Sequence, residues 1–395
     1  MIRVDIDSLK SAINAQVAAE QPYVAGLVAA IRAHSPDTDR TGEIPDAFWQ
    51  AVDVRALNLM VVPKRFGGLV STQTAMSRVV SFERVGYEDP GYAIALPGPG
   101  LSMPPVLAMG NEALLDRVFA RFHSDRPIWG SFAITEPHAG SEATAIRTYA
   151  EKTGDGYVLN GSKCFVTNGA RSDYVIVFAM RSRTQGRLGM RAFLVETGTP
   201  GYSVLRTERM LGMKASQLTM LQFEDCRIPE ENLLWREDLP RFSDALSAAQ
   251  RSWDFMRPML SSIIVGTCQR LLDELSRLLE GREEAGRRLS DDPRNLIARY
   301  QTRIDGCRML ALQAAWKYDR DIPMSRDASM AKAMSSSLAI ELSERCHQIA
   351  GLEGAAGTGF FDKALRDCKA FDILEGTGDI QRNMICAYHL AFRTH

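Results

Sequence analysis

Apolar positions along the chain show three textures in succession. Up to about residue 126 they recur at helical spacing. In DAFWQAVDVRALNLMVV, Phe48, Ala51, Val52, Leu57 and Leu59 fall near one face, and Pro45-Asp46 reads as a helix start. SRVVSFERVGYED repeats the pattern through Val79, Val80, Phe82 and Val85, while KRFGGLVST and LPGPGLSMPP carry the Gly and Pro of loops. From Pro127 to about Pro240, short β-rich runs alternate with turn dipeptides. In AEKTGDGYVLNGSKCFVTNG, Asp155-Gly156 and Asn160-Gly161 are tight-turn pairs, predicting strands at Tyr157–Leu159 and Cys164–Thr167. DYVIVFAM (173–180), RAFLVET (191–197) and MLQFED (220–225) predict further strands of an antiparallel β domain. Beyond Phe242 helical patterns return, as in SSIIVGTCQRLLDELSRLL with Ile264, Cys268, Leu271, Leu272, Leu275, Leu278 and Leu279. The expected fold is α+β and multidomain: a helical domain (1–126), a β-barrel-like middle domain (127–240) and a C-terminal helical bundle (241–395).

Composition narrows the function classes. At roughly 150 residues per domain, 395 residues suggest two or three domains. Lys and Arg total 47 against 48 Asp and Glu, a balance with no bulk attraction for nucleic acid or an anionic membrane. Seven scattered Cys without C-x-x-C argue against a disulfide framework or zinc knuckle and fit a reducing compartment. No basic-then-apolar leader opens the chain and no long apolar stretch occurs, so a cytoplasmic protein without a membrane span is expected. Six scattered His give no metal cluster. H-E-x-x-H, Walker A, G-x-S-x-G and a strand-following G-x-G-x-x-G are absent, and GLEGAAGTG (351–359) follows a helical pattern.

Two segments carry chemistry. WGSFAITEPHAGSE (129–142) places hydroxyls and backbone N–H groups where the helical texture yields to the β texture, either as an interdomain turn or as a cradle for an anionic or heteroaromatic ligand. In RDCKAFDILEGTGDIQRNMICAYHL (366–390), Glu375 ends an apolar run just before Gly376-Thr377-Gly378, and Thr377 or Gly378 is positioned to cap the last helix. A helix N-terminus favours the anion and apolar burial raises the pKa, which together make a base usable near neutral pH; a surface Glu is the plainer alternative.

Together these segments resemble the acyl-CoA dehydrogenase family over roughly residues 40–392. VPKRFGG (62–68), AITEPHAGSE, GYVLNGSKCFVTNG, WDFMRP (253–258), QIAGLEG (348–354) and ILEGTGDIQR (373–382) are similar to its signatures and stand in its order. The resemblance implies FAD. Phe132, Ile134, Thr135 and Ser141 would line the flavin, and Phe165 and Thr167 would cover its ring. Thr377 and Asp379 would meet its nucleotide portion, and Arg282 and Gln348 the FAD of a neighbouring subunit. Ser141, Asp254, Arg257 and Gly376 would border the substrate, with Glu375 as catalytic base. The implied reaction removes the α proton of an acyl thioester while carbon β gives hydride to flavin N5, the thioester oxygen being held by the Glu375 backbone N–H and a ribityl hydroxyl. Implied partners are acyl-CoA or acyl-carrier protein, an electron-transferring flavoprotein, and further copies in a homodimer or homotetramer. Four positions differ from the family's pattern: His138 for Gly, Ala285 for Phe, Ala350 for Gly and Ala387 for Arg. A flavin monooxygenase or oxidase on the same scaffold and a non-catalytic binding member are the alternatives; retention of Glu375 counts against both. Arg181, Arg183, Arg187 and Arg191 share one loop, which is either a solvated hairpin or a patch for CoA phosphates or an acidic carrier.

Overall fold

The computed structural model describes residues 6–68, 75–182, 184–235, 245–284, 293–351 and 359–391. Its first part is helical: α1 (Ile6–Thr41), α2 (Asp46–Ala51), α3 (Val54–Leu59), α4 (Ala75–Glu88), α5 (Pro90–Ala95), α6 (Met103–Met109) and α7 (Glu112–Ala120). The run beginning at Asp46 divides in two. Val52 and Asp53 are extended, and the Asp53 carboxylate accepts from Ala56 N at 2.8 Å, starting α3 afresh.

The middle part holds β1 (Gly130–Ala133), β2 (Tyr149–Lys152), β3 (Gly156–Val166), β4 (Tyr174–Met180), β5 (Met190–Glu196), β6 (Tyr202–Thr207) and β7 (Thr219–Pro229) in one curled sheet. The expected antiparallel pairings are present, but the sheet is mixed, because β1 and β2 both run parallel to β4. Every residue of β4 is buried, which explains its unbroken apolar sequence. Ile176, Phe178 and Met180 join the main helical core, while Val175, Val177 and Ala179 join a separate core within the sheet. Asn160-Gly161 is not a hairpin turn, as its sequence predicts, but an irregularity within a continuous β3 paired along β7. Gly161 sits at φ +142°, and a Cβ there would lie 2.6 Å from Thr148 Oγ1.

The last part comprises α8 (Ala245–Glu284), α9 (Pro293–Tyr318), α10 (Ser325–Ala350), α11 (Phe360–Cys368) and α12 (Gly378–Ala391). Of these helices, α8 to α11 share one apolar core with the first part of the chain. The two parts meet where α4 crosses α8. A Cβ on Gly86 would lie 2.4 Å from the Ile263 carbonyl oxygen, and one on Gly266 would lie 2.0 Å from that of Glu83, so larger residues would force the backbones apart. Thr267 Oγ1 closes the crossing by donating to Gly86 O at 3.0 Å. Among the described residues, no helix is long and apolar enough to cross a membrane and no group of His, Cys, Asp or Glu could hold a metal ion.

Candidate active site

Glu375 lies in the loop joining α11 to α12. Phe371 anchors the loop in the core, its carbonyl accepting from Ser336 Oγ at 3.0 Å. Thr377 Oγ1 accepts from Ile380 N at 3.4 Å, so Thr377 caps α12 as its sequence predicts. Between these fixed ends the backbone turns sharply: Glu375 takes φ +53° and Gly376 φ +94°. A glutamate in the left-handed region is uncommon and persists only where its surroundings over-determine it. Three buried donors hold the two carbonyls. Gln381 Nε2 reaches Glu375 O at 3.1 Å and Gly376 O at 3.2 Å, Lys332 Nζ reaches Gly376 O at 2.8 Å, and Arg257 Nε reaches Glu375 O at 3.4 Å.

The carboxylate itself is treated differently. Glu375 Oε2 is sealed from solvent and has no hydrogen-bond partner among the described residues. Burial pushes the carboxyl up to about 7, although Arg257, Lys332 and Arg78 each pull it down. A proton acceptor near neutrality, free of competing donors, is what general-base chemistry requires.

Arg257 and Asp254 project from the first half of α8. Arg257 is 2% exposed, and its Nη1 donates to Asp254 Oδ1 at 3.2 Å. Asp254 also accepts from Gln250 Nε2 at 2.9 Å and Ser325 Oγ at 2.6 Å. The pair therefore has a use the motif alone did not disclose: it ties α8 to the Glu375 loop. The Phe132 ring lies 6.4 Å from that of Trp253, tilted at 66°, which brings β1 to the same end of α8.

The β side is bound together by a buried ion pair. Lys163 Nζ donates to Glu136 Oε1 at 2.7 Å and to Ile134 O at 2.9 Å, and Cys164 N donates to Thr135 O at 2.9 Å. The backbone N–H groups of Arg147 and Thr148 complete the Glu136 shell at 2.6 and 2.9 Å. Burial drives the Glu136 carboxyl up, but Lys163 and these hydrogen bonds outweigh it and leave it below its ordinary value. Burial draws Lys163 down to about 8 against the opposing pull of Glu136. His138 Nε2 lies 3.4 Å from Glu136 Oε2. Next to this anchor, Phe165 sits at φ +55° and is 59% exposed, Ile134 is buried, Thr135 and Thr167 are half-buried, and Ser141 is exposed. Ser131 Oγ holds Thr167 O at 2.8 Å.

Not every residue that the motifs select joins this cluster. Arg282 donates to Ile349 O and Ala350 O, each at 2.9 Å, and so stands with Gln348 at the C-terminus of α10. Asp379 is exposed and pairs with Arg382 at 3.1 Å. Ala285, Arg183 and most of the GLEGAAGTG run lie outside the described residues. Arg78 and Lys332, which bear on Glu375 and its loop, lie outside every quoted motif, and Gln381 lies within ILEGTGDIQR without a role assigned to it there. For Arg78 a signal existed, since it lies four and seven residues before the core residues Phe82 and Val85, on their helical face.

Residues 131–226 match the family model described as acyl-CoA dehydrogenase, middle domain, and residues 246–389 match that of the C-terminal domain. A Bacillus subtilis (strain 168) protein named acyl-CoA dehydrogenase is 31% identical over 355 residues, covering 89% of this chain and 92% of that protein. The solved structure of butyryl-CoA dehydrogenase from Megasphaera elsdenii is 26% identical, covers 94% of this chain and 98% of its own, and superposes with a TM-score of 0.82. A prolyl acyl carrier protein oxidase shares the fold at 23% identity and TM-score 0.82, with the same coverage.

Proposed function

The chain belongs to the acyl-CoA dehydrogenase family of FAD-dependent oxidoreductases, and from that premise we propose that it oxidises an acyl thioester, with Glu375 removing the proton from carbon α. The observation that carries this reading is the sealed, unpartnered Oε2 of Glu375 on a carboxyl lifted to about 7. The β side suits a flavin: Phe165 offers an exposed aromatic face, Thr135 is tied to the neighbouring Cys164 and Thr167 follows two residues on, while Ser141 would add a hydroxyl and Phe132 and Ile134 apolar backing. Bound FAD supplies the two-electron acceptor that takes hydride from carbon β.

The protein's own part is placement and charge. The positive φ at Glu375 fixes where its carboxylate points, and the Arg257, Lys332 and Gln381 bonds keep the loop from relaxing. The Glu375 N–H donates to no described residue, and we assign it to the thioester oxygen, where it would counter the charge that grows as the α proton leaves. Ser141, Gly376 and the Asp254–Arg257 pair would border the pantetheine arm of acyl-CoA or acyl-carrier protein. Thr377 and Asp379 would meet the nucleotide part of FAD. Arg282 and Gln348 would face the FAD of another copy in a homodimer or homotetramer, and an electron-transferring flavoprotein would take the electrons onward.

Anaerobic mixing with acyl-CoA and with acyl-carrier protein tests the reading, with bleaching of oxidised-flavin absorbance as the signal. Wild type should bleach with one of them. Glu375→Gln should keep its flavin and bleach about 10²–10⁴ times more slowly, the usual contribution of a positioned base. Bleaching of the Gln variant at the wild-type rate would falsify the assignment.

A further inference from the structure

Arg78 is 5% exposed, on the face of α4 turned toward the core. Its guanidinium lies over the Phe255 ring, 4.4 Å from the centroid, and the Phe255 ring in turn lies 5.0 Å from that of Tyr318, tilted at 45°. Nε and Nη1 are buried and have no acceptor among the described residues. Other buried cations of the fold are matched: Arg257 by Asp254, Lys332 by a loop carbonyl, Lys163 by Glu136 and Lys317 by Asp327. Burial draws Arg78 down to about 10 while Glu375 and Tyr318 hold it up, so it stays charged at neutral pH. Phe255 stands on α8 two residues before Arg257, whose Nε reaches Glu375 O, so the guanidinium lies against the stretch of α8 that holds the Glu375 loop. Arg78 and Glu375 form no hydrogen bond, and Glu375 Oε2 and Arg78 each keep unmet polar atoms.

A buried cation without acceptors is costly, and the penalty is relieved most fully by a partner that brings both acceptors and the opposite charge. A guanidinium fork suits a carboxylate, which can accept two of its N–H groups side by side. With thioester oxidation at Glu375 as its footing, we propose that Arg78 binds a second carboxylate on the acyl group, so that the preferred substrate is a short ω-carboxyacyl thioester rather than a plain alkyl one.

The test compares adipyl-pantetheine with hexanoyl-pantetheine, matched in carbon count and built on the arm common to both carriers. Flavin bleaching reads oxidation, and titration with the 3-thia analogue of each, in which sulfur replaces carbon β, reads binding without turnover. The flavoprotein should favour the adipyl compounds roughly thirtyfold or more, the scale expected when a buried charged hydrogen bond would otherwise lose its partner. Because Arg78 also bears on the Glu375 carboxyl that sets bleaching rates, the variants are read by analogue binding: Arg78→Met should abolish the preference for the adipyl analogue while still binding the hexanoyl one, and Arg78→Lys, which keeps the charge without the fork, should restore part of it. A wild-type preference for hexanoyl, or an equal loss of analogue binding on both series in Arg78→Met, would overturn the proposal. Should neither thioester bleach the flavin while the adipyl analogue still binds through Arg78, thioester oxidation fails and the carboxylate site stands.

Discussion

Replacing Glu375 by Gln exchanges a carboxyl whose ionisation burial opposes for a neutral group of the same shape. Lifting that carboxyl from its ordinary 4.5 to about 7 makes its ionisation in the fold about 3 kcal/mol more costly than in the unfolded chain, at about 1.4 kcal/mol per tenfold change in proton affinity. The direction follows from linkage. Below 4.5 the group is protonated in both states and costs nothing. As pH rises through 7 the unfolded chain has already released the proton, and the folded protein must give it up against its surroundings. Stability contributed by the protonated form is therefore present in acid and lost by pH 8. Urea unfolding of the flavoprotein should show wild type and Glu375→Gln nearly equal at pH 4.5, with the Gln variant ahead by up to about 3 kcal/mol at pH 8. A Gln variant less stable than wild type at pH 8 would mean that Arg257, Lys332 and Arg78 hold the carboxylate more strongly than burial repels it. The base would then be largely ionised well below neutrality.

The same carboxyl sets the acid limb of activity: kcat/KM should fall about tenfold per pH unit below 7, and a limb near 4.5 would place the base elsewhere. Lys163→Met strands the buried Glu136 carboxylate and should cost about 3–5 kcal/mol with loss of flavin content, whereas adding Glu136→Gln should recover part of both in unfolding and absorbance measurements. Gly376→Ala forces a side chain to φ +94° with its Cβ 2.7 Å from Gln381 Nε2; a loss of about 1–3 kcal/mol and slowed bleaching are expected, and an unchanged melting curve would show the loop to be slack.

Much of the fold could be read from residue patterns because burial wrote it there. The β4 strand is buried on both faces and reads as one apolar run, and α4 carries its stripe at Val79, Phe82 and Val85. Where burial is absent the pattern fails. Most residues of β6 are exposed, so the strand shows no alternation and was not foreseen. β1 is only four residues long and lies hidden inside a segment that reads as an interdomain turn or a ligand cradle. Asn160-Gly161 misled because a dipeptide that permits a hairpin also permits an irregularity, and only the neighbouring Thr148 decides between them. At the site, Glu375 was legible through its loop motif, since a strained backbone restricts the residues on either side. Lys332 was not, because a polar side chain buried against a carbonyl 44 residues away leaves no periodic trace, and Gln381, although inside the same motif, carries no sign in the sequence that it turns back onto the loop.

The crossing of α4 on α8 has a consequence for synthesis. Thr267 and Gly86, which meet there, are 181 residues apart, with the entire sheet emerging between them. At translation rates of 5–20 residues per second, the apolar face of α4 waits on the order of ten to forty seconds for its counterpart to leave the ribosome. During that interval Val79, Phe82 and Val85 are the surface a chaperone would shield, and a polypeptide stalled after the sheet would carry a helical front half with nothing to close against.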